Sequence, residues 1–515
     1  MKRYLLILLV ACTGLGSCKK DFLDLLPEGS IPPENYFKNT EEFQQALTGA
    51  YVPLRDIANI AFFMDEMRSD NTHYDYNAQD RGGIGYEQLA DFMDDAGNSV
   101  INTRYAAAFN GISRTNVILD RLETIQFEMA EEDRKKITGE AKALRAHYYF
   151  DLIRHFGPVP LHLHEVRTSE QAFRPRSTSD SIYNQIIADF TEAINSLAPP
   201  AGFPSYGRFN KGSASTELAL VYMTRKQFDL AVPLLQDVTT MGYDLWPAYK
   251  DAFNPANESN AMNKESILEV GYKSGTDGQS SQFIYRFLPL TVDLAPIIGF
   301  SYNNVNGGWN TPTQDLIDTY EDGDARLPAS INILEGRIRS GDTGWLPDKV
   351  ITDITSYTPP AGTTPKVFVS KYFFPPYTAP GYNTDQNWPV FRFAGVLLWL
   401  AESLNESGRP GDALAPLNRV RKRAGLDPVN AGDPGSLRTI IANEQRVELA
   451  FENYRWLDLV RTDKAIEVMT THGEEMKSLY SYLLPGSYNV NANKLIYAIP
   501  LREVTLNKLD QNEGY

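Results

Sequence analysis

Residues 133–158, DRKKITGEAKALRAHYYFDLIRHFGP, decide the fold. Ile137, Ala141, Leu144, Tyr148 and Leu152 recur at spacings of three and four, which draws one apolar stripe down a helix. Pro158 ends it, because proline cannot continue the backbone ladder. The same periodicity predicts helices over 102–122 and 180–197, the second running into Pro199-Pro200. Asn39-Thr40-Glu41-Glu42-Phe43 reads as another helix start, with Thr40 as cap and two glutamates in the first turn. The chain then echoes itself. Thr216–Val238, TELALVYMTRKQFDLAVPLLQDV, and Leu397–Val420, LLWLAESLNESGRPGDALAPLNRV, each give an apolar helix, a tight polar turn and a second helix opening near an alanine. These units resemble tetratricopeptide hairpins, whose small residues let helices pack closely.

Between the echoes, residues 242–393 lose helical periodicity and gain prolines, glycines and asparagines. Strand-like pieces at Ile267–Tyr272 and Val367–Tyr372 alternate with loops, and a helix is expected within Thr311–Tyr320. A structureless insert of that length is unusual in a compact domain, so it is read as an irregular subdomain mounted on the helices. The expected fold is mainly α: a tetratricopeptide-like scaffold with a loop-rich insert carrying short strands. The expected organisation is a signal over 1–17, a leader over 18–38, helical scaffold over 39–241, the insert over 242–393 and scaffold again over 394–515.

The first residues set the compartment. Lys2 and Arg3 precede an apolar run, and Leu15-Gly16-Ser17 places small residues before Cys18, a lipobox-like end to a secretory signal. Cys18 is therefore the candidate for lipidation, which would tether the mature chain to a membrane surface. The only two cysteines, Cys12 and Cys18, both precede residue 19. Disulfides, thiolate metal sites and cysteine nucleophiles are thereby excluded from the folded body. A net charge of −16 with no dense basic patch argues against nucleic acid.

Several segments together carry a family likeness: Cys18 followed by Asp21-Phe22-Leu23-Asp24 and Pro27; Ala141 to Ala146 with Tyr148 to Leu152; and Phe156-Gly157-Pro158-Val159-Pro160-Leu161. Later come Glu444-Gln445-Arg446-Val447-Glu448-Leu449-Ala450-Phe451-Glu452 with Arg455 to Leu459, then Ile499-Pro500, Glu503 and Gln511 to Tyr515. In this order they resemble the SusD/RagB family of outer-membrane lipoproteins of Bacteroidetes, nearly end to end. Gln445 departs from a more charged run. The resemblance implies a lipid-anchored protein of the outer membrane, facing the cell exterior. It would capture glycans and hand them to a TonB-dependent, SusC-like transporter, with no cofactor and no catalysis.

Glu444, Arg446, Glu448, Glu452, Arg455 and Asp458 recur at three and four, so they are expected to meet as neighbours on one terminal helix. Arg145, Asp151 and Arg154 are read the same way. Such carboxylates beside arginines stay ionised and committed, unlike the facing pair that glycoside hydrolysis requires. His162-Leu163-His164 lacks a third ligand, Gly82-Gly83-Ile84-Gly85 lacks the phosphate-loop lysine, and Asp91–Asp95 and Glu321–Asp324 read as solvated turns. No metal is expected.

Aromatics in polar loops are better site candidates. A sugar ring offers an apolar C–H face that a flat aromatic covers, while amide, carboxylate and guanidinium groups take the hydroxyls. Residues 70–77, DNTHYDYN, with Arg81 and Tyr86, form one such loop; Tyr302-Asn303-Asn304 with Gly307-Gly308-Trp309-Asn310 forms another. The resemblance puts the glycan site in comparable loops. Tyr74, Tyr76 and Trp309 are thus the stacking candidates, Asn71, Arg81 and Asn303 the polar ones, with Tyr302, Trp345, Tyr377, Tyr382 and Trp388 as rim. Trp399 and Trp456 lie in helical stripes and are assigned to packing. The competing expectation is a structural or lid subunit of the import complex, whose cargo is peptide, glycopeptide or another non-glycan nutrient.

Overall fold

The computed structural model describes residues 36–78, 83–339, 344–377, 383–430 and 432–515. The lipidation candidate Cys18, with Arg81 and Tyr382, lies outside the described residues.

Among the described residues eight helices precede the insert: α1 (Thr40–Tyr51), α2 (Pro53–Asp65), α3 (Ile84–Ala90), α4 (Ser99–Glu123), α5 (Glu131–Phe156), α6 (Ser179–Ser196), α7 (Lys211–Thr224) and α8 (Phe228–Thr239), with a single turn at Ser169–Ala172 between α5 and α6. The cap of α1 is Asn39, one residue before the expected Thr40, because Asn39 Oδ1 accepts the amide hydrogen of Glu42. After the insert come α9 (Phe393–Glu406), α10 (Pro410–Arg423), α11 (Pro434–Glu448), α12 (Arg455–Arg461) and α13 (Ala465–Leu479). Successive members of α4 to α10 pack side by side, and α8 lies directly against α9. The two echoed hairpins are therefore spatial neighbours, and the array continues across the insert. Close approach requires small residues: a methyl group at Gly111 of α4 would meet the Tyr148 ring of α5 at 2.1 Å.

The insert carries β2 (Ser266–Val270), β4 (Ile331–Ile338), β5 (Trp345–Ile351), β6 (Lys366–Val369) and β7 (Trp388–Arg392). Strands β5, β4 and β6 form one antiparallel sheet in that order, and β2 pairs with β7. Apolar residues of insert and helices share one core. A smaller cluster gathers Phe92, Trp456, Met469 and Tyr488. Among the described residues no helix is long and apolar enough to cross a membrane.

The charged C-terminal segment differs from expectation. It is not one helix: α11 ends at Glu448, and Phe451 and Asn453 take positive φ before α12 begins. Its charges also pair mostly with distant segments. Glu448 meets Arg423 at 2.5 Å and Arg392 and Arg326 at 3.2 Å, all buried. Burial alone would raise the Glu448 carboxyl, but Arg423, Arg392 and Arg326 outweigh it and hold it down at about 2. Arg145 pairs with Asp189 and Asp151 with Arg104, again between helices, whereas Arg154 Nε donates to the Phe150 carbonyl. Such pairs fix register rather than add large net stability, since desolvation offsets their attraction.

Candidate functional site

The loop after α2 is anchored at its root. Asp70 is buried and held by Arg455 at 2.7 Å and Arg446 at 2.9 Å. Asn71 is equally committed: its Nδ2 donates to Glu66, and its Oδ1 accepts from Arg446. With 1% exposure Asn71 is a strut and not a polar contact for ligand. Glu66 also accepts the amide hydrogens of Phe451 and Asn453, which ties this loop to the turn between α11 and α12.

From that root the chain forms a two-residue strand, β1 (Thr72–His73), which pairs antiparallel with β3 (Thr311–Pro312). The ladder sets the two predicted aromatic loops side by side. The Asp75 amide hydrogen bonds to the Gly308 carbonyl at 2.7 Å. Gly308 has φ +84°, and a methyl group there would meet Asp75 Cβ at 2.9 Å, so glycine permits both the turn and the contact. Thr72 Oγ1 donates to the buried Asn310 side chain.

A cleft of about 470 Å³ opens beside this ladder. Its aromatic lining is Tyr74, Tyr76, Tyr480 and Tyr482. Tyr76 and Tyr482 stack with centroids 4.0 Å apart and planes at 5°. Tyr480 follows at 5.3 Å from Tyr482. Tyr74 is 5% exposed and donates to Asp91, so it presents little of its ring. Beneath them His73 is buried between two hydroxyls, Tyr482 at 2.9 Å and Tyr488 at 3.3 Å. Burial, with His472 nearby, pushes the His73 imidazole down to about 3, so it stays neutral and orients Tyr482. The polar lining includes Gln314, Thr311 and the Asp75–Lys366 ion pair. Lys366 Nζ also lies 5.3 Å from the Trp345 ring.

The other predicted residues fall elsewhere. Trp309 is half-buried and does not line the cleft; it packs on Phe63, Tyr86 and Tyr74, with Gly83 against its ring. Trp345 is buried at the start of β5, and its Nε1 donates to the Thr364 carbonyl. Trp388 is buried in β7 against Phe283 and Tyr372, a core position. Trp388 leaves the rim because its strand is buried on both faces, and Trp345 because its ring is tucked in and bonded to Thr364. Tyr302 and Tyr377 pack on Tyr285 away from the cleft, and Asn303 is exposed beside them. Sequence reasoning missed Tyr480 and Tyr482, although Tyr480-Ser481-Tyr482 before Pro485-Gly486 is the same kind of aromatic turn. Among the described residues no group of three or more His, Cys, Asp or Glu could hold a metal ion.

Residues 264–515 match the sequence profile of the SusD family, and residues 21–223 match a related profile described as starch-binding associating with outer membrane. The chain belongs to the SusD/RagB family. It is 28% identical to SusD-like protein P38 of Formosa agariphila over 90% of this chain and 92% of that one. A SusD-like protein of Bacteroides ovatus is 26% identical over 89% of this chain and 82% of its own length. Among solved structures, a laminarin-binding SusD-like protein superposes with a TM-score of 0.72 at 27% identity, covering 93% of this chain and all of that one.

Proposed function

We propose that this chain is a surface glycan-binding lipoprotein. It captures oligosaccharide or polysaccharide at the tyrosine cleft and delivers it to a TonB-dependent, SusC-like outer-membrane transporter. Cys18 carries the lipid that holds it to the outer membrane, with the cleft facing outward. The stacked Tyr76–Tyr482 pair beside Tyr480 carries this reading. Each stacked ring leaves one outward face to cover the apolar face of a sugar, and Gln314 and Thr311 stand within the same cleft to meet hydroxyls, while Asp75 and Lys366 are paired with each other. Binding proceeds without catalysis. Among the described residues Asp75 is the one carboxylate lining the cleft, and Lys366 occupies it, whereas hydrolysis needs two carboxyl groups across the glycosidic bond.

Fractionation and pull-down test the account together. The chain is expected in the outer-membrane fraction with its transporter, Cys18→Ala is expected to release it, and the mature chain is expected to retain one class of polysaccharide. Co-purification with the transporter but no retention of any glycan would replace the proposal with a lid subunit for non-glycan cargo.

A further inference from the structure

We infer that the cleft selects neutral glycans and rejects uronate- or sulfate-bearing ones, and that Asp75 enforces this by cancelling Lys366. The inference rests on the proposed glycan cleft and names its substrate class.

Among the described residues Lys366 is the one cation lining the cleft, and its Nζ is paired with the Asp75 carboxylate. An anionic sugar would have to displace that carboxylate, because among the described residues lining the cleft no second cation stands beside the ammonium to share the load. Charge-assisted recognition of a carboxylate or sulfate ordinarily uses uncompensated arginine or lysine. The surrounding field has the same sign. Burial raises the Tyr482 hydroxyl first, and the charged groups that push it further are Asp91, Asp75 and Glu87. At Tyr480 burial is followed by Asp75 and Glu475. At Tyr74 the charged contributors after burial are Asp91 and Glu87. Tyr74, Tyr480 and Tyr482 thus each lie near carboxylates, so a polyanion approaching these three rings meets like charge. Neutral sugars lose nothing in this field, since ring stacking and hydroxyl hydrogen bonds carry no net charge.

The test is affinity electrophoresis of the mature chain and of Asp75→Asn through gels holding a neutral polysaccharide (laminarin, starch or galactomannan) or an acidic one (alginate, polygalacturonate or carrageenan). Asparagine keeps the shape of Asp75 and its backbone bond to Gly308. The expected result is retardation of the unaltered chain by a neutral polysaccharide alone. Asp75→Asn should keep that retardation and gain affinity for an acidic one by roughly fivefold, the effect of freeing one exposed charge at contact distance. Retardation of the unaltered chain by an acidic polysaccharide would overturn the inference while leaving the glycan-binding reading intact. So would an Asp75→Asn variant that gains nothing on acidic gels while its neutral binding persists. Absence of retardation in every gel would overturn the glycan-binding reading and the inference with it.

Discussion

Tyr76 and Tyr482 stack within 4.0 Å, at 5° from parallel, although one follows the second helix and the other lies near the C-terminus. The pair exists because two distant segments converge. Asp70, at the root of the Tyr76 loop, is pinned by Arg446 and Arg455, and His73 from that loop reaches the Tyr482 hydroxyl. The charged C-terminal segment thus holds the cleft without lining it.

Tyr74 and Tyr76 should separate stability from binding. Tyr74 is buried and bonded to Asp91, so Tyr74→Ala should cost about 3 kcal/mol in urea unfolding. Tyr76 is half-buried, so Tyr76→Ala should cost little stability but weaken glycan binding about tenfold by calorimetry, near 1.4 kcal/mol.

Helix packing predicts a glycine effect that has nothing to do with ligand. Gly111→Ala drives a methyl group into Tyr148 and should destabilise by about 1–3 kcal/mol. Gly202→Ala meets nothing within 4 Å and should leave the denaturation midpoint unchanged.

Glu448 is the hub of three arginines. Glu448→Gln leaves Arg326, Arg392 and Arg423 short of a counter-charge and should cost about 3–5 kcal/mol, read as a lower urea midpoint. Its carboxyl is held at about 2, below the ordinary 4.5. Its contribution is therefore fully present above about 4.5 and lost as pH falls towards 2, whereas the glutamine variant should lack that component of the acid limb.

Glu66 predicts the opposite slope. Burial raises its carboxyl to about 7 from 4.5, against the pull of the amide hydrogens of Asn71, Phe451 and Asn453. Between pH 4.5 and 7 the folded chain keeps a proton that the unfolded chain has released. Stability from this group therefore falls as pH rises through that window. Urea midpoints of the unaltered chain should decline there relative to Glu66→Gln; parallel curves would contradict the assignment.

The helical array was legible because a 3.6-residue period survives in each segment: 102–122 and 133–154 lie within observed helices, and 180–197 overruns its helix by the single residue Leu197. The pairing of charges was not, since spacing along a helix reveals only local neighbours, while Arg446 meets Asn71 across 375 residues. The same reach turned Asn71 from an apparent surface polar residue into a strut. Half of the tyrosine cleft was readable, because Tyr74 and Tyr76 stand in a polar stretch. Tyr480 and Tyr482 follow an amphipathic helix directly, and nothing local ties them to a loop that Tyr482 meets, at His73, across 409 residues. Trp309, Trp345 and Trp388 show the converse: an aromatic flanked by polar or proline residues gives no sign of which side of a short strand or turn it occupies.

The most direct test is calorimetric titration of the unaltered mature chain, Tyr482→Ala and Trp309→Ala with a glycan that the unaltered chain binds. The account predicts a loss of about tenfold for Tyr482→Ala with a modest fall in melting temperature, since buried His73 loses a hydrogen-bond partner, and for Trp309→Ala a loss of stability larger than any direct loss of contact. Undiminished affinity in Tyr482→Ala would contradict it and move the binding site away from the tyrosine cleft.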